Sequence, residues 1–258
     1  MSDGGAILLA TGASIALMAG LWVVGLSIRN WSVVDPGWAL CLVLCASIYA
    51  ATSGEPFAGP RLLSTACAAV WGLRHAYLLL AHRVVGQPEE GRYVELRTKW
   101  GRGAFFAFFQ AQAVLAVLLS SPFLLATRAS STVLPIPALF VFLAGLVGET
   151  VADAQLAAWK RDPANRGRTC RGGLWAWSRH PNYFFELVIW ISFALMALGH
   201  PLGWIAWTAP AAILLLLLFV TGIPPAERQA LKSRGEDYLA YRRTTSAFVP
   251  LPPKRASA

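Results

Sequence analysis

The stretch from Lys160 to Glu186, which reads KRDPANRGRTCRGGLWAWSRHPNYFFE, carries the densest set of residues able to do chemistry. It holds six lysines and arginines, the paired glycines Gly172 and Gly173, and Pro181, which favours the start of a helix. Guanidinium groups and the free N–H groups of a helix N-terminus both bind phosphate. No G-x-G-x-x-G motif follows a strand here, so the pattern predicts a phosphate-bearing ligand held without a Rossmann fold.

Carboxylates and amides recur at helical spacing in and before this stretch. Glu149, Asp153 and Lys160 are four and seven residues apart, and Asn182 and Glu186 are four apart. Side chains at these spacings share one face of a helix. Because a charged group in hydrocarbon is costly unless it is paired or hydrated, we expect the two faces to line a polar cavity. The alternative is a set of interhelical hydrogen bonds that only stabilises the bundle.

The elements that position these residues are membrane helices. Of the 258 residues, 56% are hydrophobic and 14% are charged, and the mean hydropathy is +0.53. These values lie far from the composition of soluble domains. Since a helix needs roughly 20 apolar residues to cross the hydrocarbon core, the sequence predicts an all-α integral membrane protein.

Seven apolar stretches are long enough to be spans, and they form a single polytopic domain over residues 1–258. They are Ala6–Ile28, Val33–Thr52, Leu62–His82, Ala104–Thr127, Leu134–Trp159, Tyr183–Leu198 and Pro201–Thr221. The first is expected to be retained, because no small-residue cleavage site follows a basic N-terminal region. Residues 222–250 are predicted to form a tail helix over the ligand site, and residues 252–258 to be disordered.

Nearly all of the 22 lysines and arginines fall in alternate loops and in the C-terminal tail. By the positive-inside rule, the N-terminus is outside and the C-terminus is cytosolic. We therefore expect a multi-pass protein of the cell inner membrane whose polar residues face the cytosol. The net charge of +9 is then a topological signal beside anionic lipid rather than a sign of nucleic acid binding. The four cysteines and four histidines have no metal-binding spacing, so no metal is expected.

Several of these runs resemble a known family. DPANRG, GLW, SRHPNY with Glu186, and the tail DYLAYRRTTSAFVP together resemble the C-terminal signature of the steroid 5α-reductase superfamily, within it the bacterial DUF1295-like branch. The resemblance extends from Trp31 to Pro250. It implies a seven-helix oxidoreductase of lipid metabolism that takes NADPH from the cytosol and reduces a carbon–carbon double bond conjugated with a ketone.

The resemblance also implies cofactor-contacting positions. Lys160 and Arg168 would neutralise pyrophosphate or the 2′-phosphate, while Asp153, Asn182 and Glu186 would orient the ribose and the nicotinamide amide. Arg171 matches a further cofactor-contacting position. The remaining cofactor-binding candidates in the motif runs and the tail are Trp175, Arg179, His180, Tyr183, Arg228 and Tyr238.

The catalytic residues implied by the resemblance begin with Asp35, because steroid reductases carry a catalytic Glu four residues after a Trp. The tyrosine that pairs with that carboxylate has no clean counterpart on the third span. Arg74, His75 and Tyr77 are the candidates, and Arg74 is preferred because a buried arginine needs a carboxylate. A protonated Asp35, or Arg74 beside an ionised Asp35, would stabilise the oxyanion that forms when hydride reaches the β-carbon.

Three departures from the family bear on the substrate. Asp35 is one methylene shorter than Glu, Lys160 replaces an arginine and loses bidentate phosphate geometry, and Phe185 stands where relatives usually have Gly. Phe185 either packs against lipid or narrows the cavity. The substrate is expected to enter from the bilayer, and an apolar enone, a fatty enoyl compound or an isoprenoid would each suit such a reductase. No obligate protein partner is expected.

Two alternatives stay open. Membrane methyltransferases of the isoprenylcysteine carboxyl type also carry an RHPxY run, and their tails resemble the pattern here of Glu227, Arg228, Tyr238 and Tyr241. S-adenosylmethionine has no phosphates, however, and does not need so many guanidinium groups. The third hypothesis is a non-catalytic lipid-binding or scaffold protein, which would bind no nucleotide.

Overall fold

The computed structural model describes residues 1–54, 59–129 and 135–254. Those residues form helices joined by short connections, and the ranges contain no β-strand, only an isolated bridge between Ser178 and Ser246. The prediction of an all-α protein is confirmed. The helices are α1 (Asp3–Ile28), α2 (Val34–Thr52), α3 (Gly59–Arg83), α4 (Gly91–Leu119), α5 (Ser121–Thr127), α6 (Pro135–Arg161), α7 (Pro181–Met196), α8 (Thr208–Leu215), α9 (Ile223–Arg234) and α10 (Glu236–Thr244).

Six helical stretches in the described ranges are long and apolar enough to cross a membrane. They are Asp3–Ile28, Trp31–Thr52, Gly103–Thr127, Ile136–Arg161, Pro181–Gly199 and Gly203–Arg234. Large apolar side chains remain exposed on them, such as Leu8, which is 75% exposed on α1. A soluble protein buries such surface, so the exposure agrees with a lipid-facing role. The integral membrane class is confirmed by length and composition.

The predicted third span corresponds to α3, which is not among these six stretches. At 25 residues, α3 is long enough to cross the hydrocarbon. Its polar residues, including Arg74 and His75, make it less apolar than these six stretches. A count of seven spans therefore depends on α3. The predicted start of the fifth span, Leu134, lies outside the described residues.

The chain divides into two compact units, and the first comprises residues 1–135 and 193–209. Close helix packing in this unit occurs at small residues. A Cβ atom at Gly72 of α3 would lie 2.4 Å from the Val43 side chain of α2. Trp71 is fully buried nearby, with its ring centroid 6.0 Å from that of Phe193. The Gly72 contact holds α3 close to α2, and the Trp71 contact holds α3 beside Phe193.

Helix α4 begins earlier than the sequence analysis predicts. The apolar run starts at Ala104, but α4 starts at Gly91, and its helical path breaks at Gly101, where φ is 72° and ψ is 174°. Glycine tolerates this conformation because it has no Cβ atom. The charged residues 92–100, predicted to be a loop, are therefore helical. One i,i+4 ion pair, Lys99 to Glu95 at 2.6 Å, supports that turn.

The second unit comprises residues 136–192 and 210–258, and in it α6 packs tightly against α7. A Cβ atom at Gly145 would lie 2.7 Å from Ile189 Cγ1, and one at Gly148 would lie 2.3 Å from Phe185 Cδ1. Phe185 thus packs against Gly148 of α6. The two glycines let the helix backbones approach each other.

Substitution of Gly148 by alanine should lower the melting temperature in detergent. The new methyl group would overlap the Phe185 ring, and overpacking of this kind typically costs about 1–3 kcal/mol. The double variant Gly148→Ala/Phe185→Leu should recover most of the loss. Gly12→Ala is the matched control, because nothing lies within 4 Å of a Cβ atom there. Equal melting temperatures for Gly148→Ala and Gly12→Ala would contradict this packing.

The C-terminal segment forms two helices and an ordered extension rather than one tail helix. Helix α9 ends at Arg234, and Gly235, with φ 53°, separates it from α10. Beyond α10, the Lys254 amide donates to the Thr244 carbonyl at 2.8 Å. Residues 252–254 of the segment predicted to be disordered therefore have a defined path. The rest of that segment, residues 255–258, lies outside the described residues.

Candidate functional site

A cleft of about 320 Å³ opens in the second unit where α6 ends, and we call it the basic cleft. Its described lining includes one carboxylate, Asp162, and five cationic side chains: Lys160, Arg161, Arg166, Arg168 and Arg234. Leu156, Trp159, Pro163, Asn165, Gly167 and Cys170 complete the walls. Two predicted phosphate ligands, Lys160 and Arg168, therefore lie in one concave surface. Such an excess of positive charge favours an anion.

The loop under the basic cleft is held by local hydrogen bonds. Asp162 caps a short 3₁₀ turn, since its Oδ1 accepts from the Ala164 amide at 2.9 Å. The Asn165 side chain donates to the Trp159 carbonyl at 3.0 Å and so satisfies the end of α6. In the described part of the chain, the side chains of Arg161, Arg166 and Arg168 make no ion pair. The loop backbone is held in place by these hydrogen bonds, while the three guanidinium groups remain available to a ligand.

Polar residues on α6 and α7 face each other within the second unit. The Asn182 Nδ2 group donates to Asp153 Oδ1 at 3.4 Å. One turn along, carboxylate oxygens of Glu149 and Glu186 lie within 4.8 Å of each other, and Trp190 Nε1 donates to Glu186 at 2.8 Å. The four-residue spacing therefore predicted both polar faces correctly. Asn182 Oδ1 is buried and has no hydrogen-bond partner among the described residues, so it can accept from a ligand N–H group.

Several other predicted cofactor residues have structural partners. The indole of Trp175 is buried and donates to the Ala152 carbonyl at 2.9 Å. His180 is also buried and stacks on Tyr183, with ring centroids 5.3 Å apart. Tyr238 is buried beside Tyr241 and is not among the residues lining the basic cleft, and Arg228 is exposed. These side chains shape the unit around the cleft.

Two carboxylates of the C-terminal segment bind the SRHPNY region and its preceding loop, and we call these two carboxylates with their partners the tail latch. Glu227 pairs with Arg179 at 2.7 Å and lies 3.6 Å from His180 Nε2. Asp237 accepts from the Thr169 amide at 2.7 Å and pairs with Arg171 at 2.8 Å. Arg171 and Arg179, both predicted to contact cofactor, are thus engaged by the tail.

Asp237 and Tyr238 each keep one protonation state near neutral pH. Burial acts to raise the pKa of Asp237, but the hydrogen bonds from Thr169 and the charge of Arg171 outweigh it and lower that pKa. Asp237 is therefore ionised, and its contribution to docking is lost only as the pH falls through this lowered value. Burial raises the pKa of Tyr238 to about 12, so its hydroxyl stays neutral.

Cys170 offers a chemical reporter of the tail latch, because it lies between Thr169 and Arg171, the two residues that bind Asp237. It is 4% exposed, and burial raises the pKa of its thiol, so the reactive thiolate is scarce in the folded protein. Asp237→Asn should loosen this contact and speed alkylation of Cys170 by iodoacetamide about tenfold, measured by mass spectrometry. The wild-type rate should still be rising at pH 9. An unchanged rate in Asp237→Asn would show that the latch does not shield the thiol.

In the first unit, Asp35 is surrounded by donors from α3 and α4, and we call this group the Asp35 cluster. Arg83 pairs with Asp35 at 2.9 Å, and Arg92 and the Tyr93 hydroxyl also bind its carboxylate. Both arginines pair in addition with Glu90, at 3.1 and 2.7 Å. The cluster joins the start of α2 to the α3–α4 connection.

Neighbouring contacts strengthen this junction. The Trp31 amide donates to Glu89 at 3.2 Å, and the Glu90 amide donates to the Ser32 hydroxyl at 3.1 Å. Arg97 pairs with Glu89 at 3.0 Å and lies over the Trp31 ring at 5.0 Å. The segment before α2 therefore has a fixed position, which holds Asp35 in place.

The preference for Arg74 as the partner of Asp35 was wrong. The ion pairs of Asp35 are made with Arg83 and Arg92, because the start of α2 lies beside the end of α3 rather than beside its middle. His75 instead lies against Trp71, with ring centroids 5.6 Å apart, and Tyr77 is 68% exposed.

The tyrosine that binds Asp35 is Tyr93, which the sequence analysis missed. Tyr93 is 3% exposed, and burial together with the negative charge of Asp35 raises its pKa well above the ordinary value. Its hydroxyl is therefore a neutral donor. The available signal was the Glu95–Lys99 spacing, which indicates that α4 extends back into the charged stretch containing Tyr93.

Comparisons with known proteins give one family and one short similarity. The model of the family described as "Protein of unknown function (DUF1295)" matches residues 21–245. The chain is also similar to "Probable O-methyltransferase ustE" of Ustilaginoidea virens, with 39% identity over 59 residues, which are 23% of this chain and 20% of that protein. The match thus spans about a fifth of that relative's length. No solved structure matches the chain significantly.

Proposed function

The chain belongs to the DUF1295 family, and we propose that it is a membrane-embedded, NADPH-dependent reductase of the steroid 5α-reductase superfamily. The substrate would be an apolar compound from the bilayer with a carbon–carbon double bond conjugated to a ketone. In this proposal α3 also crosses the membrane, which gives seven spans with the N-terminus outside. The basic cleft then faces the cytosol of the inner membrane, where NADPH is available.

The observation that carries the proposal is the composition of the basic cleft. Five cationic side chains and one capping carboxylate surround about 320 Å³. NADPH presents a pyrophosphate and a 2′-phosphate, which match such a surface by charge, and guanidinium groups bind phosphate oxygens through paired N–H donors. S-adenosylmethionine offers no phosphate. The cleft therefore favours a phosphorylated dinucleotide, with Lys160 and Arg168 as its phosphate ligands.

The residues along α6 and α7 also fit the rest of such a cofactor. Asn182 Oδ1 is buried and has no hydrogen-bond partner in the described ranges, and it can accept from a carboxamide N–H. The carboxylate of Asp153, hydrogen-bonded to Asn182, suits a ribose hydroxyl. Glu186, fixed by Trp190, would complete this polar face. When bound, NADPH supplies the hydride.

For the acceptor end of the reaction, the proposal assigns Tyr93 and Asp35. Hydride addition at the β-carbon moves the electron pair of the double bond to the ketone oxygen, and a proton must then reach the α-carbon. The neutral Tyr93 hydroxyl has one proton, which it donates to Asp35 in the unliganded protein. In the proposal this proton turns to the oxyanion, while Arg83 and Arg92 still bind the Asp35 carboxylate. Tyr93 takes this role, and Asp35 positions it with the help of Arg83 and Arg92. The net reaction consumes the enone, NADPH and one proton.

A methyltransferase is the second candidate, because the 59-residue similarity is to a protein named as a probable O-methyltransferase. The motifs shared with membrane methyltransferases do not distinguish a methyltransferase from a reductase, since the SRHPNY residues and the tail residues contact each other. Arg179 of SRHPNY pairs with Glu227, and the Tyr241 hydroxyl donates to the Ser178 carbonyl at 3.1 Å. These residues dock the tail, a requirement that a protein of either class would have.

The test is turnover by the purified full-length protein in detergent or nanodiscs. A panel of apolar enones is incubated with NADPH, and the products are analysed by mass spectrometry. We expect a product heavier by two hydrogens and equal consumption of NADPH. With 4-deuterated NADPH, one deuterium should appear at the β-carbon. Methyl transfer from S-adenosylmethionine to a lipid acceptor, without any NADPH consumption across the panel, would overturn the reductase assignment.

A further inference from the structure

One wall of the basic cleft comes from a distant part of the chain. The other lining residues fall between Leu156 and Cys170, while Arg234 is the last residue of α9. Its guanidinium lies 6.0 Å from the centre of the Tyr238 ring. A cation from the C-terminal segment therefore completes a cleft that is otherwise built by the end of α6 and the following loop.

The tail latch fixes where Arg234 lies. Glu227, seven residues earlier on α9, binds Arg179, and Asp237, three residues later, binds Thr169 and Arg171. Thr169 and Arg171 flank Cys170, itself part of the cleft wall. Arg234 therefore lies between two residues with fixed contacts, Glu227 and Asp237, and Asp237 is bound to the loop that lines the cleft. Release of Asp237 from this loop would remove the nearer of the two contacts that hold Arg234 at the cleft.

Docking Arg234 beside the other cations has an electrostatic cost, which the nearby Asp237 carboxylate offsets only in part. Four cationic side chains already line the cleft, and the one carboxylate in the described lining, Asp162, is used as a cap. Like charges at close range repel, and a polyanion among them reverses the sign of the interaction. If anion binding favours the docked tail, the docked tail must favour anion binding by the same factor.

We propose that Arg234 is a polyanion-binding residue supplied by the tail, and that occupancy of the basic cleft by a diphosphate and docking of α9–α10 stabilise each other. The inference rests on the proposed function only in taking the cleft as the site for the cofactor phosphates. It adds a ligand that lies outside the Lys160–Glu186 stretch. It also implies that the contacts of the tail latch become more stable when the diphosphate binds.

The experiment uses the full-length protein in detergent, with inorganic pyrophosphate as the probe. Its dissociation constant is measured by calorimetry, and hydrogen exchange of the α10 amides is measured with and without pyrophosphate. We expect pyrophosphate to slow exchange across Glu236–Thr244 several-fold. Arg234→Gln should weaken binding about tenfold and abolish this slowing, and Arg234→Lys, which keeps the charge, should retain most of both.

Arg243→Gln is the matched control, because Arg243 is exposed on α10 and is not among the residues lining the cleft. Equal affinity for pyrophosphate in Arg234→Gln and wild type would overturn the inference, as would absence of pyrophosphate binding or unchanged exchange in α10. The proposed function fails separately. If pyrophosphate binds in this Arg234-dependent way but no enone is reduced, the coupling stands without the reductase assignment.

Discussion

Arg168→Glu should weaken NADPH binding at least a hundredfold. The change turns five cations and one carboxylate in the basic cleft into four cations and two carboxylates. A hydrogen bond to a charged group typically contributes about 1.5–3 kcal/mol, and charge reversal replaces that attraction with repulsion. A hundredfold change corresponds to about 2.7 kcal/mol. Fluorescence of bound NADPH, titrated against the full-length protein, gives the dissociation constant.

Arg243→Glu provides the control for this prediction, because it makes the same change in net charge at an exposed position of α10. It should leave the dissociation constant within about twofold of wild type at physiological salt, since Arg243 does not line the cleft and salt screens interactions of exposed charges. The wild-type affinity should also fall as salt is raised. If Arg168→Glu and Arg243→Glu bound NADPH equally well, the basic cleft would not be the phosphate site.

Tyr93→Phe should lower kcat for enone reduction about a hundredfold while KM for NADPH stays unchanged. Loss of one donor to a developing oxyanion typically costs 10²–10³-fold in kcat. The proposed cofactor-binding residues lie on α6, α7, α9 and the loop after α6, none of which contributes to the Asp35 cluster. A merely structural role would lower the melting temperature and the amount of active protein without changing kcat per active site.

Tyr77→Phe is the matched control for the hydroxyl, because Tyr77 is 68% exposed on α3. It should keep full turnover. Asp35→Asn should behave like Tyr93→Phe in kcat but lose more stability, since it leaves Arg83 and Arg92 with Glu90 alone. Full turnover in Tyr93→Phe, on a substrate that the wild type reduces, would exclude Tyr93 as the oxyanion donor.

The sequence was most informative where the spacing of polar or apolar residues determines which face of a helix they share. The four-residue spacings of Glu149 with Asp153 and of Asn182 with Glu186 are local properties of a helix, and they predicted two facing polar surfaces that the structure contains. The apolar runs likewise predicted the six stretches long and apolar enough to cross a membrane. The remaining predicted span, Leu62–His82, forms α3, whose polar residues reduce its mean hydropathy. The basic loop after α6, predicted from its composition to bind an anion, forms most of the lining of the basic cleft.

Contacts between distant segments were not predictable in the same way. Tyr93 was not predicted as a partner of Asp35, because the charged sequence around it is typical of a loop. It reaches Asp35 because α4 extends back to Gly91. Arg234 belongs to the basic cleft through the tail latch, a pairing of residues more than 45 apart in sequence that no spacing rule encodes. For the same reason, Arg171 and Arg179 were predicted as ligands, although carboxylates of the tail bind both.

The most direct test of the reductase assignment compares ligands by thermal shift on the full-length protein in detergent. A ligand at 100 times its dissociation constant should stabilise the folded state by about 2.7 kcal/mol. We expect NADPH to raise the melting temperature, and Arg168→Glu to abolish the shift. S-adenosylmethionine should leave the melting temperature unchanged. A shift with S-adenosylmethionine and none with NADPH would contradict the assignment and place the chain with the methyltransferases.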